Sequence, residues 1–248
     1  MVKIDLNCDM GEGCGNDAEL MDFVSSVNIA CGFHAGDAAT MRKTVETAIE
    51  KSVAIGAHPS YRDRENFGRT SMSLPPSEVY DLVLEQILAL RDICIETGGE
   101  LSHVKPHGAL YNQAAKDIIL ANAIAMAVRA VDENLIVFGL SGSVLITEAQ
   151  KCGLRTANEI FADRTYSPDG SLTPRIEPNA LIHDTDKAVA QVLQMVKNRN
   201  VTSTDGKQIQ LDADTVCIHG DGENAVDFAR SIRQKLIENG IKIEAVSG

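Results

Sequence analysis

Seven short apolar runs, each ending in polar residues and giving way to helical patterning, constrain this chain more than any other feature. They occupy residues 3–9, 26–33, 52–58, 101–107, 134–140, 154–161 and 214–219. Strands that alternate with helices imply βαβ units and a largely parallel α/β sheet. The runs are apolar throughout rather than strictly alternating, as strands covered on both faces must be. Between them, residues 77–97 carry Val79, Leu82, Val83, Ile87 and Leu90 at helical spacing, after Pro75-Pro76 and before Gly98-Gly99. Asp37 is placed to cap a helix reaching Ile49.

An open doubly wound sheet and a closed barrel both satisfy this pattern. The first strand is followed by no G-x-G-x-x-G, and no G-x-x-x-x-G-K-[ST] occurs, so the nucleotide-binding signatures of open sheets are missing. A barrel is preferred. The 248 residues, 44% of them hydrophobic, suffice for one sizeable core, and no linker divides them, so one barrel domain over 1–248 is expected. The net charge of -12 argues against nucleic acid and anionic membrane as partners. No apolar run is long enough to span a bilayer, and the N-terminus enters strand-like sequence without a secretory h-region. A soluble cytoplasmic protein is expected. Of the six cysteines none forms a C-x-x-C pair, and Cys8, Cys31, Cys94 and Cys217 lie in apolar or helical segments, where reduced, buried thiols are expected.

The polar residues collect where parallel α/β folds build active sites, at the C-terminal ends of strands. Those ends read Asn7-Cys8-Asp9, Cys31-Gly32-Phe33-His34, His58-Pro59, Lys105-Pro106-His107, Glu159 with Asp163-Arg164 beyond it, and His219-Gly220-Asp221. One histidine at a strand end is ordinarily structural; His34, His58, His107 and His219 at equivalent positions point to a common site. Period-two alternation puts Asp5, Asn7 and Asp9 on one face of the first strand, and His103, Lys105 and His107 on one face of the fourth. A lysine aimed into a barrel needs an anion, so Lys105 implies Asp9, Glu159 or an anionic substrate as partner; the bland alternative is a Lys105 snorkelling outward. Two long loops, 61–73 and 162–178, carry Arg62, Arg64, Arg69, Arg164 and Arg175, and such loops at a catalytic mouth suit a carboxylate or phosphoryl ligand.

The segments Asp5-Leu6-Asn7-Cys8-Asp9-Met10-Gly11-Glu12, Asn28-Ile29-Ala30-Cys31-Gly32-Phe33-His34-Ala35-Gly36-Asp37 and Gly56-Ala57-His58-Pro59-Ser60-Tyr61 resemble the LamB/YcsF family, the 5-oxoprolinase A subunits. So do Val104-Lys105-Pro106-His107-Gly108-Ala109-Leu110-Tyr111-Asn112, Glu159-Ile160-Phe161-Ala162-Asp163-Arg164 and Ile218-His219-Gly220-Asp221. The likeness runs in order along nearly the whole chain. Cys8, Thr70 and Gly222-Glu223 depart from the usual pattern, and only Thr70, in place of an arginine, touches a possible anion contact. The resemblance implies a seven-stranded β/α barrel of the glycoside hydrolase/deacetylase type. It also implies ATP-dependent opening of 5-oxoproline to glutamate in a complex with subunits B and C. With no phosphate-cradling loop here, ATP is expected on, or shared with, a partner.

In that frame the catalytic candidates are Asp9, His58, Lys105 and His107. Asp9 would be a general base held near neutrality by His58 or His107, and Lys105 and His107 would stabilise developing negative charge. Asn7, Arg69, Tyr111, Glu159, Asp163, Arg164, His219 and Asp221 would hold the substrate, with Arg69 or Arg164 on its carboxylate. A divalent metal on Asp9, His34 and His58 is a second possibility, since related barrels use such ions for deacetylation; a hydrogen-bonded cluster without metal is preferred. Two rival functions stand beside this one. A metal-dependent carbohydrate deacetylase or hydrolase suits poorly a chain with 4% aromatics and no Trp. A non-catalytic binding subunit predicts few inward charges.

Overall fold

The computed structural model describes residues 2–219 and 224–246. The chain runs β1 (Lys3–Met10), α1 (Asp17–Leu20), β2 (Ser26–Ala30), α2 (Ala38–Glu50), β3 (Ala54–His58), α3 (Pro76–Thr97), β4 (Leu101–Val104), α4 (Gly108–Ala114) and α5 (Ile118–Val131). It continues through β5 (Ile136–Leu140), α6 (Val144–Lys151), β6 (Arg155–Phe161), α7 (Thr185–Asn198), β7 (Asn200–Thr202), β8 (Gln208–Gln210), β9 (Thr215–Ile218), α8 (Ala225–Glu238) and β10 (Lys242–Ile243). Seven of these strands form a parallel ring in the order β1-β2-β3-β4-β5-β6-β9, and β9 closes it by pairing with β1. They are the seven runs expected from sequence.

Local chemistry explains the elements around the ring. Asp37 caps α2 by accepting from the Thr40 N–H at 2.8 Å. In α3 the stripe Val79, Leu82, Val83, Ile87 and Leu90 is buried, and Pro75 stands just before the helix, where a missing N–H costs nothing. Strand four ends three residues before its apolar run does, because Pro106 has no N–H to give. Pairing nevertheless continues past it: the Lys105 N–H donates to the Ala57 carbonyl at 2.9 Å and the His107 N–H to that of Pro59 at 2.8 Å. This extension holds Lys105 and His107 in register with β3.

Three short strands were not expected. β7 and β8 form an antiparallel hairpin outside the ring, and β10 adds in parallel to the start of β1. At two or three residues each, they are too short for period-two patterning to register. Cys8, Cys31, Cys94, Cys152 and Cys217 are buried and form no disulfide, and Cys14 is exposed. No described helix is long and apolar enough to cross a membrane.

Candidate active site at the C-terminal end of the barrel

β1 and β4 are not neighbours in the ring, so side-chain contacts between them must cross its interior. Lys105 supplies them. Its Nζ lies 3.0 Å from Asp9 Oδ1, 2.7 Å from Glu159 Oε1, 3.2 Å from Asn7 Oδ1 and 3.2 Å from Cys217 Sγ, with only 2% of the residue exposed. The inward lysine thus meets both carboxylates that its burial called for. Burial alone would lower its pKa, yet Asp9, Cys217 and Glu159 outweigh that and hold it well above the ordinary lysine value. The two carboxylates favour its charged ammonium form.

Around it the polar atoms are saturated. Asn7 donates to Glu159 Oε1 at 3.0 Å and Thr215 Oγ1 at 2.7 Å, and its Oδ1 accepts from Asn28 and Lys105. Tyr111 donates its phenol proton to Glu159 Oε2 at 2.7 Å. Asn28 donates to Asp9 Oδ1 at 2.9 Å and accepts from His103 Nε2 at 2.9 Å, the His103 ring being stacked on Phe138. Asn7, Tyr111 and Glu159, expected to hold substrate, therefore fix Lys105 and one another.

Asp9 departs from expectation. Burial pushes its carboxyl up, but His58 and Lys105 overcome this and hold it well below the usual carboxylate range, not near neutrality. Its Oδ2 is 3.3 Å from His58 Nε2, and 12% of its side chain remains exposed. Asp9 is thus a weakly basic anion with a path to solvent. It becomes a competent proton acceptor only when a ligand oxygen draws Lys105 off it.

Three imidazoles stand next to this cluster. His58 Nδ1 donates to the Lys105 carbonyl at 2.7 Å, and His107 Nε2 donates to the Phe67 carbonyl at 2.9 Å. His34 Nδ1 lies 2.9 Å from Ser60 Oγ, whose own proton goes to the Tyr61 carbonyl. Their other nitrogens face inward: His107 Nδ1 to His58 Nε2 is 2.9 Å, and His34 Nε2 to Glu12 Oε1 is 3.0 Å. His34 and His107 stack in parallel with centroids 3.8 Å apart. Burial, reinforced by His58, drives the His34 pKa down to about 3 and that of His107 well below normal, so both are neutral. With both nitrogens engaged, His107 cannot donate to a substrate oxygen, contrary to its expected role.

Glycine makes this packing possible. Gly68 has φ +66°, and a Cβ there would lie 2.8 Å from His107 Cδ2 and 2.9 Å from His34 Cβ. The loop after β3 thereby presents the Phe67 carbonyl to His107 and the Gly68 carbonyl to the Ala109 N–H at 2.9 Å.

The rim is formed by the loop between β6 and α7. Asp163 accepts from His219 Nδ1 at 2.8 Å, and Arg175 Nη2 donates to His219 Nε2 at 3.0 Å. Burial opposes ionisation of Asp163, but His219 and Arg164 hold its pKa below normal. Arg164 is buried and turns into the loop, donating to the Thr173 carbonyl at 2.6 Å and to that of Ala180 at 3.3 Å. It braces the loop rather than facing the mouth, which corrects its expected contact with substrate. Arg69 lies over the Phe67 ring, 4.9 Å from its centroid. Asp221 lies outside the described residues.

The expected metal set also changes. Among the described residues, ligand-capable atoms gather as two groups, Glu12, His34, His58 and His107 in one and Asp9, Cys217 and His219 in the other. Asp9 is drawn from the first group towards Lys105. Sequence reasoning missed Glu12, Ser60, Asn28, Phe67 and Cys217. Glu12 follows β1 in a glycine-rich turn whose direction no periodicity reveals, and Asn28 faces inward only because it pairs in register with Asp9.

A closed seven-stranded parallel barrel surrounded by helices defines a fold class, that of the deacetylase-type β/α barrels. A T48 deacetylase solved with substrate shares this fold at TM-score 0.50 and 12% identity, over 98% of this chain and 87% of that one. Residues 4–248 match the LamB/YcsF family, and the chain belongs to it. It is 55% identical to the 5-oxoprolinase A subunit of Geobacillus kaustophilus (strain HTA426), over 99% of this chain and 97% of that protein. It is 43% identical to the lactam utilization protein of Thermus thermophilus, whose crystal structure superposes with TM-score 0.92 over 99% of this chain and 100% of that one.

Proposed function

We propose that this protein is the A subunit of a cytoplasmic, ATP-dependent 5-oxoprolinase, working with subunits B and C to convert 5-oxoproline to L-glutamate. The observation that carries the reading is the buried Asp9–Lys105–Glu159 ion cluster at the barrel mouth, in a chain akin end to end to proteins named for this activity and for lactam use. A lactam is an unstrained amide stabilised by resonance, and its carbonyl resists water. Phosphoryl transfer from ATP to the ring oxygen converts it to a better electrophile, and a partner subunit performs that step.

This chain then opens the ring. A water held by Asp9 adds to the activated carbon and leaves its proton on that carboxylate. The C–N bond breaks, the nitrogen takes the proton as an amine, and a γ-acyl phosphate remains. A second water cleaves it to glutamate and phosphate. Lys105 faces the charge that builds on the oxygens, where a buried cation acts with little screening. As the oxygen draws the ammonium, Asp9 regains basicity at the moment it must take a proton. Arg69 or the Arg175–His219–Asp163 rim is suited to the substrate carboxylate.

The test is reconstitution with one component left out at a time, following glutamate and ADP separately from 5-oxoproline and ATP. ADP without glutamate when this chain is omitted is the expected result. Unchanged glutamate formation in its absence would remove ring opening from this chain.

A further inference from the structure

We propose that the outer face of α5, with the groove between its first turn and α3, is the docking surface for a partner subunit. The partner seats an amphipathic helix there, its apolar side chains flanked by lysine or arginine. This rests on the reading of the chain as one subunit of a complex. α5 departs from an ordinary surface helix. Of its 14 residues only Asn122 and Arg129 are polar. Its solvent side carries Ile118 at 59%, Ile119 at 64% and Met126 at 46% exposure, with exposed Ala130 beyond. Positions 119, 122, 126 and 130 advance by three or four, so they form one stripe along the helix. A helix apolar on every side is ordinarily covered on every side. On the other described helices the exposed large apolar residues stand alone, Ile49 on α2, Ile95 on α3 and Ile237 on α8, as single ones commonly do.

A groove of about 460 Å³ opens at the head of this stripe, its lining including Pro76 and Tyr80 of α3, Ile118 and Ile119 of α5, and the nearly buried Glu148 of α6. Its charges select the occupant. The lysines next to it in the chain are already engaged, Lys151 with Glu148 at 2.6 Å and Lys116 with Asp169 at 3.5 Å. Glu78 and Asp81, exposed on the first two turns of α3, have no ion pair among the described residues. An apolar slot edged by unpaired acids fits a bulky apolar side chain with a cation about a helical turn away. A second copy would bring its own acids to this surface, and the net charge of -12 repels both such a copy and an anionic membrane.

The surface also stands at the working end of the barrel. The ring helices start after the C-terminal ends of strands and run back along the barrel, so the first turns of α3 and α5 flank the mouth. The loop that enters α3 is the one whose Phe67 carbonyl holds His107. Its Met72 exchanges two hydrogen bonds with Gln113 of α4, the element before α5. A partner seated in the groove therefore sits beside the mouth, where an activated, water-labile ring can pass from one subunit to the other.

The full-length chain is titrated by calorimetry with the purified B and C subunits of the same organism, at low and high salt. The double variant Ile118→Ser/Ile119→Ser should weaken binding at least about 30-fold. Asp81→Lys should weaken it about 3–10-fold and flatten its dependence on salt. Ile95→Ser and Ile237→Ser, the same exchange near the far ends of α3 and α8, should leave it unchanged. All these side chains are exposed, and thermal melting verifies that each variant is folded. None belongs to the site at the mouth, so saturating partner should restore glutamate formation in every variant; turnover that stays low would overturn a role in docking. Native-like affinity in the double variant would overturn this surface and leave the subunit reading intact. Failure of the native chain to bind B and C would overturn both, whereas binding without glutamate formation would strike the reaction and keep the surface. Sedimentation of the chain alone and flotation with anionic vesicles cover the other occupants. A dimer or vesicle binding that the double variant abolishes would overturn the heterologous partner.

Discussion

Replacing Lys105 by methionine tests the ion cluster most directly. The substitution keeps an unbranched stem of similar bulk and deletes one buried positive charge. It strands Glu159, whose side chain is wholly buried, and Asp9, which is 12% exposed. Glu159 keeps its bonds from Tyr111 and Asn7, and Asp9 keeps those from Asn28 and His58. What is lost is the charge that balances them. Removing one partner of a buried pair costs about 3–5 kcal/mol, and for a chain of this size that lowers the melting temperature by about 6–20 °C. The stranded carboxylates favour taking protons, so the deficit should shrink as pH falls from 8 towards 5. The double variant Lys105→Met/Glu159→Gln should recover a large part of it. Urea unfolding followed by circular dichroism at both pH values supplies the numbers. A loss under about 1 kcal/mol, or no recovery in the double variant, would refute the view that Lys105 neutralises two buried acids.

Asp9→Asn should lower glutamate formation by the reconstituted complex at least about 100-fold while assembly is retained; near-normal turnover eliminates Asp9 as proton acceptor. Gly68→Ala must place a methyl group against His107 and His34 at φ +66°, so a loss of more than about 1 kcal/mol is expected in thermal or urea unfolding; wild-type stability would mean the loop does not hold the imidazoles. Asp5 carries a second pH signal. Burial raises its pKa from 3.8 to about 6 despite bonds from Ser25, Ser26 and Thr215. A raised carboxylate stabilises the fold fully below its unfolded pKa and loses that contribution as pH rises through the folded value. The stability of the native protein relative to Asp5→Asn should therefore fall by up to about 3 kcal/mol between pH 4 and 7. A flat difference across that range excludes the shift.

Much of this protein could be read from its residues in order. The seven ring strands, the α3 stripe, the Asp37 cap and the inward Lys105 follow from periodicity, end signals and the cost of burying a charge, all local or single-residue properties. Asp9, His58, Lys105 and His107 were legible as a group because a parallel barrel brings equivalent strand ends to one rim. Tertiary structure decided what each of them does. The pKa of Asp9 depends on how close His58 and Lys105 come, and Arg164 is a brace because Thr173 and Ala180 fold back onto it. Glu12 joins the histidines because a turn after β1 aims it there. Which nitrogen of His58 and of His107 donates outward is set by the Lys105 and Phe67 carbonyls, far from them in the chain. Distances of 3 Å between residues tens of positions apart are set by strand register and loop path. A one-dimensional pattern carries neither, and proton placement follows distance.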